Sequence, residues 1–142
     1  MGVYFLCQNI DGDEIMWINY NPNPEKRNGS DCVYRALSKA LNQTWEDTYW
    51  DLAVLGAEMG DAPIANHVWA EYLKENGFKR YIVPDTCPAC YTVKDFCENH
   101  PTGLYVLGTG SHVVTVYHGN YFDSWDSGNE VPIYFWRKTY GI

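Results

Sequence analysis

Residues 110–126, GSHVVTVYHGNYFDSWD, decide how the second half of the chain is read. Apolar and polar residues alternate on either side of His118-Gly119-Asn120, the pattern of a half-buried β-hairpin. His112 stands at the mouth of one strand, and the other strand runs into Asp123, Trp125 and Asp126. A histidine and a carboxylate on paired strands can orient each other beside a nucleophile supplied from elsewhere in the chain. The plainer reading makes them strand-end surface residues.

Outward from this hairpin the period of two persists. LYVLGT before it and VPIYFWRK after it are further strand candidates, so 102–138 reads as an antiparallel sheet. The preceding part, 28–80, is helical. DCVYRALSKALNQ carries Val33, Ala36, Leu37, Ala40 and Leu41 at helical spacing, with Ser30 or Asp31 as cap. Thr44-Trp45-Glu46-Asp47 resembles a capping box and starts a second helix that Gly60 ends. IANHVWAEYLKEN, with Pro63 in its first turn and Gly77 after it, reads as a third helix. KRYIVP is a short strand, and Thr92 caps a short helix stopped by Pro101. Residues 1–24 read as an N-terminal hairpin and loop: VYFLC and EIMWINY flank the turn pair Asp11-Gly12. With no repeat, low-complexity tract or linker, 1–142 is expected to form one α+β domain.

The 142 residues suffice for a real core, and 46% of them are apolar. A formal charge of −8 argues against nucleic acid, which calls for a basic face. No stretch approaches the roughly 20 apolar residues of a membrane span, and MGVYFLCQNIDGDE lacks a signal-like pattern, so an intracellular protein is expected. Five cysteines without an export signal point to reduced thiols rather than a disulfide framework.

Of these, Cys32 stands at the first turn of a predicted helix, where unpaired N–H groups and the helix dipole favour a thiolate. A cysteine at a helix start is by itself more often a small packing residue. Its place in the order of parts is what distinguishes it. A cysteine opens the first helix, a histidine opens a strand about eighty residues on, and Asp123-Ser124-Trp125 follows on the adjacent strand. In this the chain resembles the papain-like cysteine peptidases, whose Asn-Ser-Trp segment the Asp-Ser-Trp of this chain is similar to. DCVYRALSKALNQTWEDTYWDL, FCENHPTGLYVLGTGSHVVTV and GNYFDSWDSGNEVPIYFW also resemble small phage and bacterial proteins with a DCxxRA helix start and a D-[ST]-W-D ending. The resemblance covers most of 28–137 and leaves out the N-terminal hairpin.

The resemblance implies a papain-like fold, with the helix carrying Cys32 packed on an antiparallel sheet. It implies Cys32 as nucleophile, His112 as its proton partner, Asp123 as the group orienting His112, and Trp125 as cover over that pair. Papain-type enzymes take an oxyanion donor from a glutamine upstream of the cysteine. Lys26 stands at that spacing here, and Asn28 is the nearby amide. Across a turn at Gly119-Asn120, His112 falls toward the open end of the hairpin, as Asp126 does, so Asp126 competes with Asp123 as orienter. Asp31, beside the thiol, is expected to cap the helix and face away. His118, His67 and His100 are read as turn, helix-surface and helix-end residues.

Cys87 and Cys90, followed by Cys97 and His100, have the residue types and spacing of a tetrahedral zinc site, though they can equally pack without metal. Trp45, Tyr49, Trp50, Trp69, Tyr72, Tyr134, Phe135 and Trp136 read mostly as core.

The expectation is a thiol hydrolase that needs no cofactor and cleaves a peptide or isopeptide bond of a protein or peptide substrate. The setting expected is the cytoplasm of a bacterial host cell, from a phage-encoded or prophage-derived gene. Neither nucleic acid nor membrane is an expected partner, and the oligomeric state is not legible. The same three residues could run transglutaminase-like transfer or deamidation, and an inactive binding module with this fold is the third reading.

Overall fold

The computed structural model describes residues 15–140. It is an α+β structure in which four helices pack on a mixed sheet of six strands. The strands are β1 (Trp17–Asn19), β2 (Phe78–Ile82), β3 (Leu104–Gly108), β4 (Val113–Tyr117), β5 (Asn120–Asp123) and β6 (Tyr134–Lys138). They lie in the order β1-β5-β4-β3-β6-β2. All neighbours are antiparallel except β1, which runs parallel to β5. The sheet is therefore not purely antiparallel as the sequence suggests. EIMWINY contributes only the short β1, whose described partner is β5, and the other arm of the expected hairpin lies outside the described residues.

The helices are α1 (Cys32–Leu41), α2 (Trp45–Met59), α3 (Asn66–Glu75) and α4 (Val93–Asn99). Their ends follow local chemistry. Thr44 accepts a hydrogen bond from the Asp47 N–H at 3.0 Å, and Gly60 closes α2 in the left-handed region at φ 73°. Thr92 and Asp95 form a reciprocal capping box on α4. The third helix begins at Asn66, after Pro63 and Ile64 have completed a turn.

Alternation along the strands sorts the side chains into two layers. Val106, Val113 and Trp136 join α1, α2 and α3 in one core with Leu37, Leu52, Trp69 and Leu73. Tyr105, Leu107, Val114, Val116 and Tyr121 point the other way and pack with Val93, Phe96 and Cys97 of α4. The central α1 is buried along most of its length, and Thr115 of β4 donates to its Ala36 carbonyl at 2.6 Å. This hydrogen bond satisfies a buried hydroxyl while fixing the helix against the sheet. Trp50, expected in the core, is 65% exposed on α2, in a T-shaped pair with Tyr49.

The β4–β5 turn is centred on His118 and Gly119, both with positive φ (50° and 77°), one residue earlier than expected. Two left-handed residues are what a tight hairpin turn needs to match strand twist. Cys87 and Cys90 are joined in a disulfide on an exposed loop, which corrects the expectation of reduced thiols throughout. Among the described residues no helix is long and apolar enough to cross a membrane.

Leu37 is fully buried between α1 and the sheet. Leu37→Ala should lower unfolding stability by roughly 2–5 kcal/mol, read from the urea midpoint at unchanged slope.

Candidate active site

The start of α1 brings Cys32 beside the start of β4. His112 and the backbone N–H of Val113 are the groups that act most directly on the thiol. Burial pushes its pKa up, but the hydrogen bond and charge of His112, the Val113 N–H and the charge of Arg35 outweigh that and hold it below the usual thiol value. His112 is 9% exposed. Its Nε2–H donates to Asp123 Oδ2 at 2.6 Å, leaving Nδ1 for the thiol. Burial disfavours its proton, yet the hydrogen bonds and charges of Asp123 and Cys32 raise its pKa to about 9. Both shifts favour a thiolate–imidazolium pair.

Asp123 is the carboxylate on the imidazole, and its placement follows from the turn. With His118-Gly119 at the tip, Tyr117 faces Asn120 and Thr115 faces Phe122, so Asp123 lies one diagonal step from His112. A turn one residue later would have left them two steps apart, the geometry that made Asp126 a competitor. Asp126 instead accepts from Tyr121 Oη at 2.5 Å and from the Gly128 N–H at 3.1 Å. Trp125, 43% exposed, sets its ring 4.9 Å from that of His112 at a tilt of 49° and so covers one face of the imidazole.

Asp123 is 2% exposed and fully engaged. Oδ2 also accepts from Ser127 Oγ at 2.6 Å, and Oδ1 accepts from the Ser124 N–H at 2.8 Å and Arg35 Nη2 at 3.3 Å. Arg35 lies one turn along α1 from Cys32 and is buried, with its other Nη on Asp31. Asp31 does not cap the helix as expected. It binds Arg35, Asn23 Nδ2 at 3.1 Å and Trp45 Nε1 at 3.0 Å, and makes no side-chain bond to the helix N–H groups. The reason is the buried guanidinium: a cation four residues on, out of water, draws the carboxylate more strongly than a neutral amide. The N–H groups of the first turn thus stay unclaimed by any side-chain cap.

Sequence reasoning missed Arg35, Ser127, Asn23 and Trp45. Only Asp31 and Arg35, an acid and a base at i,i+4, offered a signal. Asn28 sits on an exposed loop, and none of its hydrogen bonds among the described residues reaches the cluster, so its proposed oxyanion role gains no contact. Lys26 donates to the Asn21 carbonyl at 2.9 Å.

The four residues read as a zinc set do not converge. Cys87 and Cys90 bond each other, and Cys97 is buried against α4's core, where burial raises its pKa to about 12. His100 Nδ1 bonds the Phe96 carbonyl at 2.8 Å, with its ring stacked on Phe96. Among the described residues no three potential ligands gather. His67 pairs with Asp61 at 3.0 Å on the surface.

Comparison with known protein families, with curated proteins and with solved structures finds no match.

Two outcomes are expected. Arg35→Met strands two buried carboxylates and should cost about 3–5 kcal/mol of unfolding free energy by denaturant titration. The folded pKa of His112, about 9, lies above its unfolded value. Its contribution is therefore complete below pH ~6.5 and lost as pH rises through the folded value. The stability excess of wild type over His112→Ala should shrink between neutral pH and pH values above that point.

Proposed function

We propose that the chain is a papain-like thiol hydrolase acting on a peptide or isopeptide bond, with Cys32 as nucleophile. The observation that carries the reading is the placing of the half-buried Cys32 against the buried His112, itself held by Asp123 at 2.6 Å. A structural cysteine would gain nothing from a charged partner oriented by a second carboxylate, whereas a nucleophile gains ionisation and a proton shuttle.

In the proposed reaction the Cys32 thiolate attacks the carbonyl carbon, and the C=O π electrons move onto oxygen. The backbone N–H groups at the start of α1, free of a side-chain cap, receive the oxyanion. His112 then gives its proton to the leaving nitrogen as the C–N bond breaks, leaving a thioester on Cys32. Neutral His112 takes a proton from water, whose oxygen attacks the thioester carbon. The acid departs, and the thiolate–imidazolium pair is restored. Asp123 fixes the imidazole so that Nε2–H points away from the thiol and Nδ1 carries the proton being moved. Trp125 keeps water from the His112–Asp123 bond.

A peptide or protein is the proposed substrate, and the cytoplasm of a bacterial host the proposed setting. An exposed disulfide such as Cys87–Cys90 would be held reduced there, so it adds no support to that setting.

The test is iodoacetamide labelling of each cysteine against pH, read by mass spectrometry in wild type and His112→Ala. Cys32 should react fast below pH 7, where an ordinary thiol of pKa about 8.5 is protonated, and should lose that advantage without His112. A Cys32 that labels no faster than an ordinary thiol, or ignores His112, overturns the proposal.

A further inference from the structure

A small cavity of about 80 Å³ lies beside this centre, lined by Asn66, Trp69, Ala70, Arg80, Tyr134 and Trp136. No carboxylate is in its lining, and Arg80 and the Asn66 amide nitrogen supply donors beside the Tyr134 hydroxyl. Arg80, on the edge strand β2, lies over the Tyr134 ring at 4.5 Å and has no ion-pair partner among the described residues. Asn66 Oδ1 is occupied by Trp69 Nε1 at 3.2 Å, which leaves the amide nitrogen to donate. Asn66 also opens α3, whose N-cap residue is Ala65 and brings no capping side chain. Trp136 is 1% exposed, and its Nε1–H is buried with no acceptor among the described residues. An orphaned donor inside a protein is costly, and this one, covered from solvent, belongs to a residue that lines the cavity.

The space equals that of two to three waters at roughly 30 Å³ each, which suits a carboxylate. Tyr134 joins the cavity to the thiol. Its ring lies flat over Gly108, where a Cβ would come within 2.2 Å of Tyr134 Cζ. Gly108 pairs with Val113 on its other side, and the Val113 N–H helps lower the pKa of Cys32. Val113, Gly108 and Tyr134 are successive rungs of the sheet, so the cavity is roughly 10 Å from the thiol, two strand spacings away. That is the reach of a side chain one residue removed from the bond attacked. The phenol of Tyr134 is raised by burial, against the pull of Arg80, and Cys32 adds to the rise.

We infer that this cavity is a carboxylate subsite of the Cys32 centre, with Arg80 as its specificity-determining residue. It takes an acidic side chain, or a terminal carboxylate, of the bound peptide. Its place next to a nucleophile rests on the hydrolase reading; its affinity for a carboxylate does not.

The experiment follows the Trp136 indole N–H by NMR in ¹⁵N-labelled protein, with Trp136→Phe assigning the resonance. The probes are N-acetylglutamyl methylamide, N-acetylglycine and, as neutral control, N-acetylglutaminyl methylamide. A carboxylate probe should shift the resonance to saturation while the glutaminyl control leaves it in place. The glutamyl and glycine probes tell a side-chain from a terminal carboxylate. Arg80→Gln, a change on an exposed residue, should weaken binding roughly tenfold, the loss of one charge-assisted contact. No shift, an equal shift with the neutral probe, or undiminished binding to Arg80→Gln overturns the carboxylate site.

A matched pair of dipeptidyl vinyl sulfones, with Glu or Gln distal to the sulfone, tests the link to Cys32. The Glu probe should label Cys32 faster in wild type and lose its advantage in Arg80→Gln. Equal rates in wild type, beside a saturating indole shift, overturn the subsite assignment. A Cys32 that also behaves as an ordinary thiol toward iodoacetamide removes the hydrolase reading, and the indole shift then judges the carboxylate site alone.

Discussion

The guanidinium of Arg35, buried between Asp31 and Asp123, ties the molecule together. Burying a cation is expensive unless its partners are close and their remaining lone pairs are met. On the carboxylate side they are met: Asp31 is shared with Asn23 and Trp45, and Asp123 with His112, Ser124 and Ser127. The Arg35 Nε–H is buried without an acceptor among the described residues. One residue thus joins the loop before α1, the start of α2, and the end of β5. It also lies against both carboxylates, and Asp123 in turn bonds His112 and raises its pKa. By drawing Asp31 off the helix end, it leaves the first N–H groups of α1 open beside the Cys32 thiol.

The sheet supplies the other constraint. The left-handed pair His118-Gly119 fixes the β4–β5 register, and that register sets how far Asp123 stands from His112. The parallel strand β1 then grips Asp123 from the outer side. The Asp123 carbonyl accepts from the Tyr20 N–H at 2.8 Å and from Trp17 Nε1 at 3.0 Å. The carboxylate therefore projects from a backbone held on both edges, the rigid support a precise hydrogen bond requires.

Much of this could be read from the chain, because helix ends and period-two strands are local signals. Thr44, Gly60, Thr92 and the alternation of 104–117 act within a few residues, and the sequence reading and the structure agree on them. The β1–β5 pairing could not be read, since it joins residues about a hundred positions apart and nothing in Trp17–Asn19 names its partner. The turn erred by one residue because His118 is not a usual left-handed residue, whereas the neighbouring Gly119 and Asn120 both are. At the site, Cys32, His112 and Asp123 were legible as residue types in order. Arg35 was not, because a buried arginine looks in sequence like any helix-surface base. Asp31 followed it into error: its preference for a cap is local, and a long-range ion network overrode it.

The same contrast between local and summed charge bears on what the site can hold. The chain is acidic overall, at −8, which taken alone would disfavour an anionic ligand. Yet at physiological ionic strength exposed charges are screened beyond about 8 Å, so the summed field is weak a short distance from the surface. At the cavity lined by Trp69, Arg80, Tyr134 and Trp136 a bound group lies within reach of Arg80, and the nearest donors dominate. Cys32 answers to the charges of His112 and Arg35 in the same way. Net charge governs the encounter with a partner, and the few buried donors govern what is kept.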